Sequence, residues 1–154
     1  MKEKILNTKL ILLIPAYWAC LFDEIITIIN QSDEYWKGNL SKANEENPIG
    51  AFMMANHTSG LFIICALWLI FIGIIGNKLQ NRKLKIFALF VLISHSFGAS
   101  TWLSYYYGFW YAIIFIFINS IMFIEFENMY EIRKKEKAKK KCPDSKNVPH
   151  VNLN

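Results

Sequence analysis

The chain has 154 residues, of which 54% are hydrophobic and 16% aromatic, with only 7 glycines. This is too apolar for an ordinary soluble domain, and the apolar residues gather into long runs between short charged stretches instead of recurring around a single core. The net charge of +5 is carried largely by one run, Arg133 to Lys141 (RKKEKAKKK), so it does not indicate a nucleic-acid-binding surface.

The first apolar run covers residues 10–29 and follows a basic start, MKEK. It resembles the opening of a secretory signal, but its apolar stretch continues past the ~7–15 residues of a cleaved one. Lipoprotein processing at Cys20 would need small residues where Tyr17 and Trp18 stand. An uncleaved first span is therefore expected. The second run, residues 48–76, exceeds the roughly 20 residues that cross a bilayer, so tilt, a kink near Ser59–Gly60 or an interfacial first turn is expected. The third covers residues 84–104 and the fourth 109–126. Only Tyr105, Tyr106, Tyr107 and Gly108 separate these two, which predicts a tight helical hairpin with Trp102 and Trp110 at headgroup level.

The expected fold is all-α: an integral membrane four-helix bundle in residues 1–132, followed by a basic, disordered tail in residues 133–154. The fourth span is expected to continue as helix out of the membrane from Glu125. From Cys142 onward the tail is polar, contains two prolines and includes His150.

The short loops orient the bundle. Lys2, Lys4 and Lys9 precede span one; Lys78, Arg82, Lys83 and Lys85 lie between spans two and three; the basic run follows span four. The segment 30–47 sets Lys37 and Lys42 against Asp33, Glu34, Glu45 and Glu46, and the YYYG turn carries no charge. All the basic segments thus fall on one side, and both termini are expected in the cytoplasm. Abundant Lys, Ile and Asn match an AT-rich genome, and the expected location is multi-pass in a bacterial cytoplasmic membrane. The expected partners are the lipid bilayer, anionic lipids at the basic run (about 1 kcal/mol per residue near the surface) and a homo- or hetero-oligomer. No nucleic-acid partner is expected.

With 1.5 Å of rise per residue, Asp23, His57, His95 and Asn119 fall roughly 10–15 Å below the outer face, one on each span. An ionisable side chain at such depth is costly unless paired, solvated or functional. Asp23, Thr27 and Asn30 share a helix stripe at i, i+4, i+7, while Glu24 points about 100° away. Ser94, Ser96 and Ser100 surround His95. Ala55-x-x-x-Ser59, Ser94-x-x-x-Gly98 and Ser96-x-x-x-Ser100 are small-residue pairs that permit close helix approach. Together they predict a polar cavity in the outer half of the bundle.

Three chemistries fit such a cavity. Asp23, His57 and His95 form a candidate catalytic and metal-ligating set, one carboxylate and two imidazoles that would hold a divalent metal such as Zn and activate water as in a hydrolase. Glu24, Thr27, Glu45, Ser96 and Asn119 would support it. The same groups would serve a proton-coupled carrier. Alternatively they tie helices together in a structural, accessory or ligand-binding component. No His-x-x-His, His-x-x-x-His or His-Glu-x-x-His spacing is present, so ligands would come from separate helices. No Gly-x-Ser-x-Gly elbow occurs, and Cys20 and Cys65 read as buried small hydrophobes.

The segment before span two carries the remaining signals. Asn47-Pro48 predicts an N-cap followed by proline at the first helical position. Trp36, Asn44 and Glu45 are candidate rim residues over the polar layer, while Tyr35 and Trp36 also suit interfacial anchoring. Asn39-Leu40-Ser41 is a glycosylation sequon with meaning only in a eukaryotic secretory compartment.

Overall fold

The computed structural model describes residues 2–141, and every regular element among them is helical. Helix α1 spans Lys2–Ile29, followed by a short α2 (Asp33–Trp36), a 3-10 turn (Leu40–Lys42) and a two-turn α3 (Pro48–Met54). Three long helices complete the bundle: α4 (Gly60–Lys78), α5 (Asn81–Tyr106) and α6 (Phe109–Lys141). Four helices among the described residues, α1, α4, α5 and α6, are long and apolar enough to cross a membrane.

The single span expected over residues 48–76 is two helices. Local polar groups end α3 and draw the backbone away from helical pairing. The Asn56 amide donates to Phe52 O at 2.7 Å, and His57 Nδ1 accepts from Ser59 N at 3.0 Å. Gly60 then starts α4 so close to the end of α3 that a Cβ there would lie 2.0 Å from Met53 O. Only glycine permits that approach. The expected cap of α3 is present: Asn47 accepts from Ile49 N at 3.1 Å, with Pro48 in the first helical position.

At its far end α5 runs two residues beyond the expected 104. Gly108, at φ +105°, reverses the chain, and its N–H donates to Leu103 O at 3.0 Å, a glycine helix stop. Helix α6 has 33 residues, about 50 Å at 1.5 Å each, against a hydrocarbon thickness of ~30 Å. It continues as helix through Arg133–Lys141, part of the stretch expected to be a disordered tail. Residues 142–154, including Cys142 and His150, lie outside the described residues.

Helix α1 is the centre of the bundle, packing on α4, α5 and α6, most extensively on α5. Small residues make this possible: Ala16, Ala19 and Cys20 are fully buried, so neighbouring backbones approach closely. One core cluster joins Leu12, Ala16 and Cys20 of α1 to Ile72 of α4, Leu84 and Ala88 of α5, and Phe123 of α6. A second, nearer the α5–α6 turn, joins Ile26 to Ala99, Leu103, Ala112 and Phe115, with Phe22 stacked on Phe115 at 4.4 Å between ring centroids. Large apolar side chains such as Phe117 and Ile118 project outward, as they do where lipid is the solvent.

Polar contacts show which helix ends lie together. Lys9 donates to Asn77 O, Lys137 to Thr8, and Lys85 pairs with Glu127 at 2.6 Å and Glu131 at 2.9 Å. The start of α1, the end of α4, the start of α5 and the late part of α6 therefore share a basic end. The opposite end carries the α1–α4 connection. Buried Gln31 clips that connection to itself, donating to Asn44 O at 2.8 Å and accepting from Asn44 N at 2.9 Å. The buried Tyr35 hydroxyl donates to Thr58 O at 3.1 Å.

Candidate functional site

Helices α1 and α5 bring two of the expected residues into contact. His95 Nδ1 lies 2.9 Å from Asp23 Oδ2, with both side chains less than one-fifth exposed. An ionised carboxylate only accepts, so with Asp23 ionised this contact needs the proton on Nδ1 of His95. Gly98, one turn after His95, makes room for it: a Cβ there would lie 2.8 Å from both carboxylate oxygens. Trp68 of α4 packs edge-on against the imidazole, ring centroids 6.1 Å apart.

The pair lines a cavity of about 700 Å³ between α1, α4 and α5, reached from above by the 44–50 segment. Glu24 and Thr27 of α1 line it beside Asp23, and Glu45 lines it from the connection. Thr27 is buried, and Glu24 Oε1 accepts from the Cys20 thiol at 3.3 Å. Glu45 Oε1 accepts from Asn47 N at 2.7 Å, and its side chain lies against Gly50, where a Cβ would approach its Cγ to 2.8 Å. Burial raises the Glu45 carboxyl above its ordinary 4.5; the Asn47 N–H opposes this, while the negative charges of Asp23 and Glu46 add to it.

Aromatic side chains form much of the remaining wall, Trp68 and Phe71 from α4 and Phe87, Phe97 and Trp102 from α5. Helices α4 and α5 touch each other far less than α1 touches α4, α5 or α6. Phe90 and Phe97 line the cavity while being 66% and 69% exposed, so its wall is continuous with the outer surface of the bundle.

The expected layer of polar groups divides into three places. His57 is not on a span. It lies exposed in the Ala55–Ser59 connection, outside the cavity lining, with Nδ1 2.8 Å from Ser59 Oγ. The metal set expected from Asp23, His57 and His95 is therefore not assembled, and among the described residues no group of three His, Cys, Asp or Glu side chains is placed to hold a metal ion. The cause is the break before Gly60, which removes His57 from the helix whose rise was used to set its depth. The Ala55–Ser59 small pair falls in the same connection and packs no helix.

Ser96 and Asn119 form a separate buried pair between α5 and α6, Asn119 Nδ2 donating to Ser96 Oγ at 2.9 Å. Successive helix residues point about 100° apart, so Ser96 faces α6 while His95 faces α1. Of the rim candidates, Asn44 and Glu45 line the cavity. Trp36 does not; its ring centroid lies 5.0 Å from that of Tyr35 and 5.9 Å from that of Phe62.

Sequence reasoning missed the aromatic wall. Those residues are indistinguishable from lipid-facing aromatics until the helix neighbours are known, whereas Gly98 was visible as a small residue one turn from His95. Profiles of known families, curated proteins and solved structures yield no match to the chain.

Proposed function

We propose that this chain is a polytopic membrane protein whose function is to bind a ligand in the cavity between α1, α4 and α5. The observation that carries this reading is the Asp23–His95 pair, set in the wall of a cavity of about 700 Å³. That volume is within the ~300–1,000 Å³ of small-molecule sites. Ionisable residues among membrane-spanning helices are costly and by default functional. A pair serving only to join helices needs no cavity beside it.

By the distribution of Lys and Arg, the basic end faces the cytoplasm, both termini with it, and the cavity belongs to the outer half of the bundle. Arg133–Lys141 then meets anionic lipid at the cytoplasmic surface.

Cysteine labelling in intact cells tests both parts, using the full chain with Cys20, Cys65 and Cys142 replaced. Ser94 is exposed and lines the cavity, Ile118 is an exposed apolar residue on α6, and Lys78 is exposed at the basic end. A membrane-impermeant maleimide added outside should label Ser94→Cys, should leave Ile118→Cys unlabelled, and should reach Lys78→Cys only after permeabilisation. Equal labelling at Ser94→Cys and Ile118→Cys would remove the cavity open to the outer face. Labelling of Lys78→Cys in intact cells would reverse the orientation.

A further inference from the structure

We propose that the cavity takes a lipophilic organic cation of single positive charge, admitted from the bilayer between α4 and α5. The inference rests on the ligand-binding reading above and names the class of ligand.

Charge is the first ground. Asp23, Glu24, Glu45 and Glu46 line the cavity, and among the described residues no Lys or Arg does. Among the described residues His95 is the one lining group able to carry positive charge, and it is already engaged with Asp23. Carboxylates gathered in a partly buried site are costly unless a cation compensates them. Glu24 and Glu45 have local hydrogen bonds from the Cys20 thiol and the Asn47 N–H, but neither has an ion-pair partner among the described residues. A cationic ligand would supply the missing charge.

The wall excludes a small inorganic cation as the best fit. A hard metal ion takes six or more oxygen ligands, or a compact set of nitrogen, sulfur and oxygen donors, and no such group of three is present among the described residues. The lining is instead rich in aromatics, Trp68 and Phe71 from α4 with Phe87 and Trp102 from α5. Aromatic faces attract cations that carry their charge on an apolar body, and the attraction strengthens where water is excluded.

Access is the third ground. The cavity lies between two long helices that touch each other little, and its exposed residues Phe90 and Phe97 continue onto the outside of the bundle. A ligand that partitions into the bilayer could enter there without crossing the 44–50 segment.

Tetraphenylphosphonium and tetraphenylborate nearly match in shape and differ in the sign of charge, so they separate charge from bulk. Binding of each to the purified full chain in detergent is measured by equilibrium dialysis against empty micelles. The phosphonium is expected to bind saturably at one site per chain, and the borate to show only micelle partitioning. Glu24→Gln and Glu45→Gln, made singly and checked by gel filtration, should each weaken the phosphonium about tenfold or more, as expected for removing one nearby charge at an effective dielectric of about 20. The more exposed Glu46→Gln provides a variant with less risk to folding and should weaken it less.

Saturable binding of both ions alike, or phosphonium binding indifferent to all three variants, would overturn the cation assignment. So would binding of neither ion. In each of these cases, labelling of Ser94→Cys would leave the ligand-binding reading standing. Failure of that labelling would bring down both.

Discussion

The contact between Gly98 and Asp23 yields the sharpest prediction. A Cβ at residue 98 would lie 2.8 Å from Oδ1 and Oδ2 and 3.1 Å from Cγ. In Gly98→Ala the carboxylate must therefore retreat by about half an ångström to regain ordinary van der Waals separation. It has little freedom to do so, because the side chain is short and held on its other side by His95 at 2.9 Å. The substitution should thus act by breaking the pair. A charge-assisted hydrogen bond contributes about 1.5–3 kcal/mol in water-soluble proteins, whereas hydrogen bonds between membrane helices average ~0.6 kcal/mol. A cost of about 1–2 kcal/mol is expected.

The assay is a double-mutant cycle, with unfolding followed by denaturing detergent in mixed micelles. Gly98→Ala should be destabilising in the wild-type chain. In an Asp23→Ala background, where the carboxylate is gone, it should be neutral or slightly stabilising, because alanine is the better helix former. An equal loss in both backgrounds would refute the argument and place the strain of residue 98 in the backbone packing of α1 on α5.

Other outcomes follow from the same geometry. His95→Ala should destabilise the chain through loss of the Asp23 pair, whereas His57→Ala, in an exposed connection, should stay within about 0.5 kcal/mol of wild type in the same unfolding assay. Lys85→Ala removes ion pairs with Glu127 and Glu131 and should cost about 1 kcal/mol in low salt, falling as salt is added. The buried Asn119 amide donates to Ser96, while its Oδ1 has no partner among the described residues. Asn119→Ala should cost about 0.5–1.5 kcal/mol, and adding Ser96→Ala should cost little more, since both remove one bond. Because burial holds the Glu45 proton more tightly in the folded chain than in the unfolded one, this group should add stability as pH falls from above its raised value toward 4.5, with no contribution to the slope on either side. Glu45→Gln should flatten that part of a melting-temperature profile and raise stability at neutral pH.

Four apolar helices were legible in the sequence because bilayer thickness imposes a length and lipid imposes a composition, and both are one-dimensional properties. The N-cap at Asn47 and the tight turn before the fourth helix were legible for a similar reason, since capping and a short turn are decided by a few adjacent residues. The polar layer was legible only as a set of depths. Depth along a helix says nothing about azimuth, so one residue of offset sends His95 to Asp23 and Ser96 to Asn119. It also presumes an unbroken helix, and the side chains of Asn56 and His57 break the one on which His57's place depended. The tertiary structure alone decided the cavity: it required α4 to touch α5 only lightly, Gly98 to admit a carboxylate, and aromatics of both helices to line the space between them.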